Sequence, residues 1–151
     1  MFDYETLDII ADSYLPLLAV AIVYQFVKAV LAAQWFIVSR SLLLLVLGLL
    51  VAYGLMYVDQ WLELWPKFQS DYSTHTAVAL VLTMVLASLA KAYWKRIWFL
   101  FLMYLALMRY QDYHNSLDMI TSFSAVLIIY ASGVWLMNRL LPKRWVSKAK
   151  N

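Results

Sequence analysis

The sequence predicts an all-α, polytopic membrane bundle of about five transmembrane helices in a single domain. Three observations carry this. Hydrophobic residues make up 65% of the chain and charged residues 14%, against about 45–50% and 25% in soluble domains. The apolar residues fall into runs of membrane-spanning length. The charges between the runs sort by sign along the chain, as they do when loops alternate between two sides of a membrane.

At 151 residues, with a mean hydropathy of +0.72, the chain has room for one integral-membrane domain covering residues 1–151 and no separate soluble module. There are no cysteines, which excludes disulfides, thiolate metal sites and cysteine nucleophiles. The beginning, Met1-Phe2-Asp3-Tyr4-Glu5, is acidic where a signal peptide carries Lys or Arg, so the first apolar run is expected to be retained. A net charge of +3 spread beside apolar runs is no nucleic-acid signature.

Taken in order, the spans are expected at roughly 14–33, 39–58, 74–91, 96–113 and 117–138. The first two are joined by a short connection near Gln34 to Arg40. A polar segment containing Asp59, Glu63, Lys67 and Asp71 separates the second from the third. The third and fourth are only marginally apolar because polar islands cap their outer ends, and a tight basic turn of Lys91, Lys95 and Arg96 links them. The fifth closes at Arg139. With three glycines and three prolines in the whole chain, straight helices and short loops are expected.

Charge then orients the bundle. With five spans, Lys28, Arg40, Lys91, Lys95, Arg96, Arg139, Lys143, Arg144, Lys148 and Lys150 share one side, which the positive-inside rule makes cytoplasmic. All nine carboxylates, Asp3, Glu5, Asp8, Asp12, Asp59, Glu63, Asp71, Asp112 and Asp118, share the other. The N-terminus is therefore expected outside and the C-terminus in the cytoplasm. Trp61, Trp65, Trp94, Trp98 and Trp145 read as interfacial anchors. A multi-pass protein of a bacterial cytoplasmic membrane, with its acidic end facing outward, is the expected setting. Only Lys67 and Arg109 bring positive charge to that end.

Two short polar islands interrupt the apolar sequence, Ser73-Thr74-His75-Thr76-Ala77 and Tyr113-His114-Asn115-Ser116-Leu117-Asp118, and they hold both histidines of the chain. From His75 to Lys91 is roughly 24 Å of helix, and from Arg96 to His114 roughly 27 Å. Each is close to one hydrocarbon thickness of about 30 Å. If the third and fourth spans pack antiparallel, both imidazoles lie at one depth on the outer face. His114 and Asp118 are spaced i,i+4, on one helical face. The carboxylate can then fix the imidazole tautomer and leave the other ring nitrogen free.

Four readings fit such islands. The histidines can be polar caps of helix ends. They can be metal ligands, although a third histidine or a cysteine is missing. A proton or ion pathway wants charge deep in the bilayer, where Lys28 is the sole candidate. Nucleophilic histidine chemistry on a phosphate ester also accounts for the nearby cations.

The islands resemble the motifs of the type 2 phosphatidic acid phosphatase superfamily. Ser73-Thr74-His75-Thr76 is similar to its Ser-Gly-His-Thr motif, and His114 to Asp118 to its His-x-x-x-Asp motif. The second is nearest in wording to the sphingomyelin synthase-like branch. One hairpin of two spans between the motifs also matches, and the resemblance covers roughly residues 69–135. It implies that His114 attacks phosphorus to form a phosphohistidine, that Asp118 orients it, and that His75 acts as general acid and then base. It further implies that Ser73 and Thr74, with first-turn N–H groups, contact phosphate alongside Arg109 and Lys67. No cofactor or metal is implied.

The departures are specific. Thr74 stands where the family has glycine, and the upstream Lys-x6-Arg-Pro motif is missing. Arg109 precedes His114 as Arg-x4-His where the phosphatases have Arg-x5-His, a rotation of about 100° on a helix. The chain has five expected spans where the family usually has six. The expected activity is a lipid phosphatase or phosphotransferase at the outer leaflet. The alternative is a non-catalytic scaffold or complex subunit of the same fold. Expected partners are a lipid phosphate substrate and membrane lipids, with no nucleic acid; a homo-oligomer or a subunit role fits either activity.

Overall fold

A computed structural model describes residues 4–140. Asp3, Lys143, Arg144, Trp145, Lys148 and Lys150, which entered the charge and anchor assignments, lie outside the described residues. Five α-helices account for nearly all the rest: α1 Tyr4–Leu31, α2 Trp35–Leu62, α3 Thr74–Leu89, α4 Trp94–Tyr110 and α5 Ser116–Leu140. Short 3₁₀ turns at Pro66–Phe68 and Lys91–Tyr93 sit between α2 and α3 and between α3 and α4.

α1, α2 and α5 are each long and apolar enough to cross a membrane alone. At 28, 28 and 25 residues they exceed the expected spans, and α1 begins ten residues before the predicted start. Its first turns carry Asp8 and Asp12, which a hydropathy reading excludes from a span but which a helix that satisfies its own backbone bonds tolerates. α3 and α4 are shorter, 16 and 17 residues, or about 24 and 26 Å.

The expected antiparallel hairpin of α3 and α4 is corrected: the two axes bend by 116° at the Lys91–Tyr93 break, well short of full reversal. Bulky Phe101, Tyr104 and Met108 fill the inner face of α4, all buried. Tyr104 stacks on Tyr14 of α1 and Phe101 on Phe123 of α5, so α4 leans on those helices as well as on α3.

The core is organised around α3, which packs against each of the other four helices. Its residues Thr76 through Thr83 are all buried, as are Val85 and Leu86. α2 approaches most closely at Gly48, where an added Cβ would fall 2.3 Å from Val81 Cγ1. Absence of a side chain there is what lets the backbones meet. Outward faces of α1, α2 and α5 stay apolar and uncovered, including Leu17, Val20, Leu50 and Ile128. That is the pattern of helices solvated by hydrocarbon.

Two helix ends share one device. At the end of α1, Gln34 N–H bonds to Ala29 O and Ala33 N–H to Val30 O, with Ala33 at φ 53°. At the end of α4, Tyr113 N–H bonds to Met108 O and Asp112 N–H to Arg109 O, with Asp112 at φ 55°. Both are Schellman closures, built with Ala and Asp at the left-handed position instead of glycine.

Candidate functional site

The two histidine islands meet. The imidazole rings of His75 and His114 lie 6.4 Å apart between centroids, tilted by 50°. His75 occupies the second position of α3, and a local hydrogen-bond pattern puts the helix start there. Ser73 is the N-cap: its hydroxyl accepts from Thr76 N–H at 3.3 Å and donates to Thr76 Oγ1 at 2.9 Å. Ser73 N–H donates to Ser122 Oγ at 2.8 Å, which pins the start of α3 to α5.

His114 arrives by the other route. The Schellman closure at Asp112 ends α4 and turns the chain back toward α3, and α5 begins two residues after His114. Asn115 caps α5 by accepting from Asp118 N–H at 2.9 Å, while Asp118 Oδ2 accepts from Asn115 N–H at 3.1 Å. This reciprocal pair is a capping box of the Asn-x-x-Asp kind. It fixes the backbone that follows His114 and places Asp118 beside its ring, with Nδ1 3.6 Å from Oδ2. That is ion-pair range, longer than a hydrogen bond.

Asp118 is buried, and its other oxygen is also occupied. Ser70 Oγ donates to Oδ1 at 2.7 Å and Asp71 N–H at 2.8 Å. Sequence reasoning missed Ser70 and the Asp71 backbone because the segment between α2 and α3 has no helical period to read. The capping box was legible as Asn115-x-x-Asp118 and was read only as a histidine-aspartate spacing. Tyr72 anchors the same segment by donating to Ala52 O at 2.7 Å. Burial first, then the Asp59 carboxylate, push its phenol above the ordinary tyrosine value, so it stays a donor.

The expected anion ligands are distributed unevenly. Ser73 is fully buried with its hydroxyl committed to Thr76, so it faces the helix cap and not the histidines. Thr74 is half-buried at the first position of α3. Helix geometry leaves the Thr74 and His75 N–H groups as first-turn donors. Arg109 is exposed and pairs with Asp112 at 2.6 Å. Lys67 is exposed in the Pro66–Phe68 turn.

A second set of residues reaches the site from α1, and sequence reasoning missed it. Tyr113 Oη bonds to Asp8, more than a hundred residues away in sequence. Ala11 and Asp12 join His75, Tyr104, Met108 and Tyr113 around a cavity of about 10 Å³. No sequence period links α1 to residues 104–113, and only the fold reveals it. Beside Asp118, across Ser70, lies an apolar groove of about 600 Å³ lined by Leu64, Trp65, Phe68, Leu117 and Thr121.

Among the described residues, no three or more His, Asp or Glu side chains gather into a set able to hold a metal ion. Comparison of the chain with known protein families, with curated proteins and with solved structures finds no match.

Proposed function

We propose that the chain is a membrane lipid phosphatase or phosphotransferase, similar to the type 2 phosphatidic acid phosphatases, acting through a phosphohistidine. It crosses the membrane five times, with the N-terminus and both histidines outside and the C-terminus in the cytoplasm, in the cytoplasmic membrane of a bacterium. The single observation that supports this reading is the approach of His75 and His114 to 6.4 Å with Asp118 beside the second ring.

Asp118 faces Nδ1 of His114, which leaves Nε2 to attack phosphorus. His75 protonates the leaving oxygen and then takes a proton from the acceptor. A tetrahedral phosphate bridges two imidazoles at about this spacing. The site opens to receive it, and Arg109 exchanges Asp112 for a phosphate oxygen. The apolar groove next to Ser70 is suited to a hydrocarbon tail.

A second reading is favoured by a specific observation. Asp118 and Asn115 form a capping box and Ser73 is a buried N-cap, so the same polar residues serve a non-catalytic membrane subunit equally well. Purified protein offered a panel of lipid phosphates and diphosphates without added metal separates the two. Turnover that vanishes in His114→Ala supports the enzyme. Silence across the panel, with no labelled phosphohistidine, supports the subunit.

A further inference from the structure

We infer that a cavity at the end of the bundle opposite the histidines binds the phosphate of an anionic phospholipid headgroup. α1, α2 and α3 border about 300 Å³ there, with Gln25, Lys28, Gln34, Ile37 and Leu89 among the walls. Leu89 ends α3, about 21 Å along the helix from His75 near its start, so the inference stands apart from the phosphohistidine reading. The volume lies at the lower end for ligand sites, about 300–1,000 Å³. It is about ten times the share of one liquid water, roughly 30 Å³, which leaves room for a phosphate and the glycerol that carries it.

A helix turn builds the donors into place. The closure at Ala33, with Gln34 N–H on Ala29 O, folds the start of α2 back beside the last turn of α1. Gln25 and Lys28 are spaced i,i+3 on one face of α1. Lys28 Nζ lies 5.7 Å from the Tyr24 ring centroid, a cation–π contact that leaves its N–H donors available. Gln34 is the N-cap of α2, and its side chain makes no capping bond. Its amide is therefore not spent on the helix, and the first turn of α2 presents N–H groups that no side chain caps.

The charge here is not neutralised from within the protein. Among the described residues the ion pairs are Arg109 with Asp112 and His114 with Asp118. Along the helices that line the cavity the nearest carboxylate is Asp12, about 24 Å before Lys28 on α1. α3 carries no Asp or Glu, while Arg40 follows Ile37 by one turn of α2 and Lys91 comes just after Leu89. A cation and two amides in a positive field accept an anion and reject a cation. The rim selects the source of that anion. Val27, Leu31 and Trp35, next to the lining residues in the chain, are exposed, an apolar surface that acyl chains cover and a free phosphate does not. Basic pockets between membrane helices hold phospholipid headgroups in this way.

The test uses the detergent-solubilised full chain, with dioleoyl phosphatidylglycerol, dioleoyl phosphatidylcholine and inorganic phosphate as probes. Lipid bound per chain is counted by native mass spectrometry across a titration. Wild type is expected to hold the anionic lipid about tenfold more tightly than the zwitterionic one. Lys28→Gln is expected to weaken phosphatidylglycerol binding about thirtyfold, the loss of a charge-assisted hydrogen bond. Lys95→Gln removes a charge from the same end outside the cavity and is expected to weaken it about fivefold at most. Ile37→Trp, which fills the cavity and leaves every charge in place, is expected to match Lys28→Gln and serves if that variant fails to fold. Wild-type affinity in either folded cavity variant overturns the inference, as does a wild type that holds both lipids alike. Equal losses in Lys28→Gln and Lys95→Gln also overturn it, because they mark a diffuse field and not a site. Displacement of the lipid by millimolar inorganic phosphate, dependent on Lys28, assigns the cavity to free phosphate and overturns the lipid as its occupant.

Discussion

Asp118 is expected to hold the fold together while His114 does not, and the difference can be measured. Truncating Asp118→Ala removes the acceptor for Ser70 Oγ and Asp71 N–H, together with the Asn115 N–H bond of the capping box. Asn115 is exposed and its N–H regains water. Asp71 is exposed as well and its N–H also regains water, whereas Ser70 Oγ, stranded at a buried site, costs about 1–3 kcal/mol. Losing a carboxylate from the first turn of α5 adds about 0.3–1 kcal/mol. The total is about 1–4 kcal/mol. His114→Ala loses a ring whose side chain is 19% exposed and whose contact with Asp118 is 3.6 Å, an expected cost of about 1 kcal/mol. Unfolding of the two variants in a graded detergent series reads both numbers, and phosphate release read in parallel separates stability from chemistry. His114→Ala should be stable and inactive, Asp118→Ala unstable whatever its activity. Asp118→Asn keeps one oxygen for Ser70 and Asp71 but turns an amide toward the Asn115 N–H, so its stability should fall between the two. Equal stability of Asp118→Ala and wild type would refute the network; equal losses in the two alanine variants would refute the division of labour.

Further outcomes follow from the same geometry. Gly48→Ala and Gly54→Ala gain the same helix propensity of about 1 kcal/mol, but only the first meets Val81, at 2.3 Å, while the second meets open space. Overpacking of about 1–3 kcal/mol should therefore leave Gly48→Ala the less stable of the pair, with Val81→Ala restoring it in the double variant. Ala33→Gly should raise stability by about 1 kcal/mol in the same detergent series, because a non-glycine residue at φ 53° is strained. Since the chain has no cysteine of its own, Asp71→Cys should react with an impermeant thiol reagent in intact cells and Lys95→Cys only after permeabilisation; the reverse pattern sinks the orientation. Turnover should persist in chelator, and a loss restored by zinc would revive the metal reading.

Much of the bundle was readable because hydrocarbon imposes one demand on long apolar runs. α2 and α5 were placed to within a few residues at most ends, whereas the two lengths near the membrane thickness gave His75 and His114 a common depth only for an antiparallel hairpin, which α3 and α4 do not form. The splay of α3 from α4 was not readable, because it depends on how α4 packs on α1 and α5 through Tyr104 and Phe101, which no period encodes. Asp8 and Asp12 entered the sequence reading only as carboxylates of one membrane side, yet helix α1 brings Asp8 to Tyr113 and Asp12 beside His75. Ser73 was read from its motif as a phosphate ligand, whereas its position before a helix makes it a cap first. Arg109 was read as facing an anion, and Asp112 three residues on, one helical turn away, was the nearer partner all along.

The two histidines are mounted on parts of very different stiffness. His75 rides on the first turn of α3, whose following residues are sealed by all four other helices. His114 sits on a five-residue strap between α4 and α5, with exposed neighbours on either side. Amide exchange should be slowest along α3, close to the rate set by global unfolding, and faster by orders of magnitude across the strap. Breathing of the mouth is then a movement of one imidazole away from a stationary one. A ligand seated there would clamp the strap, and protection of residues 111–115 against exchange would report its arrival before any chemistry occurred.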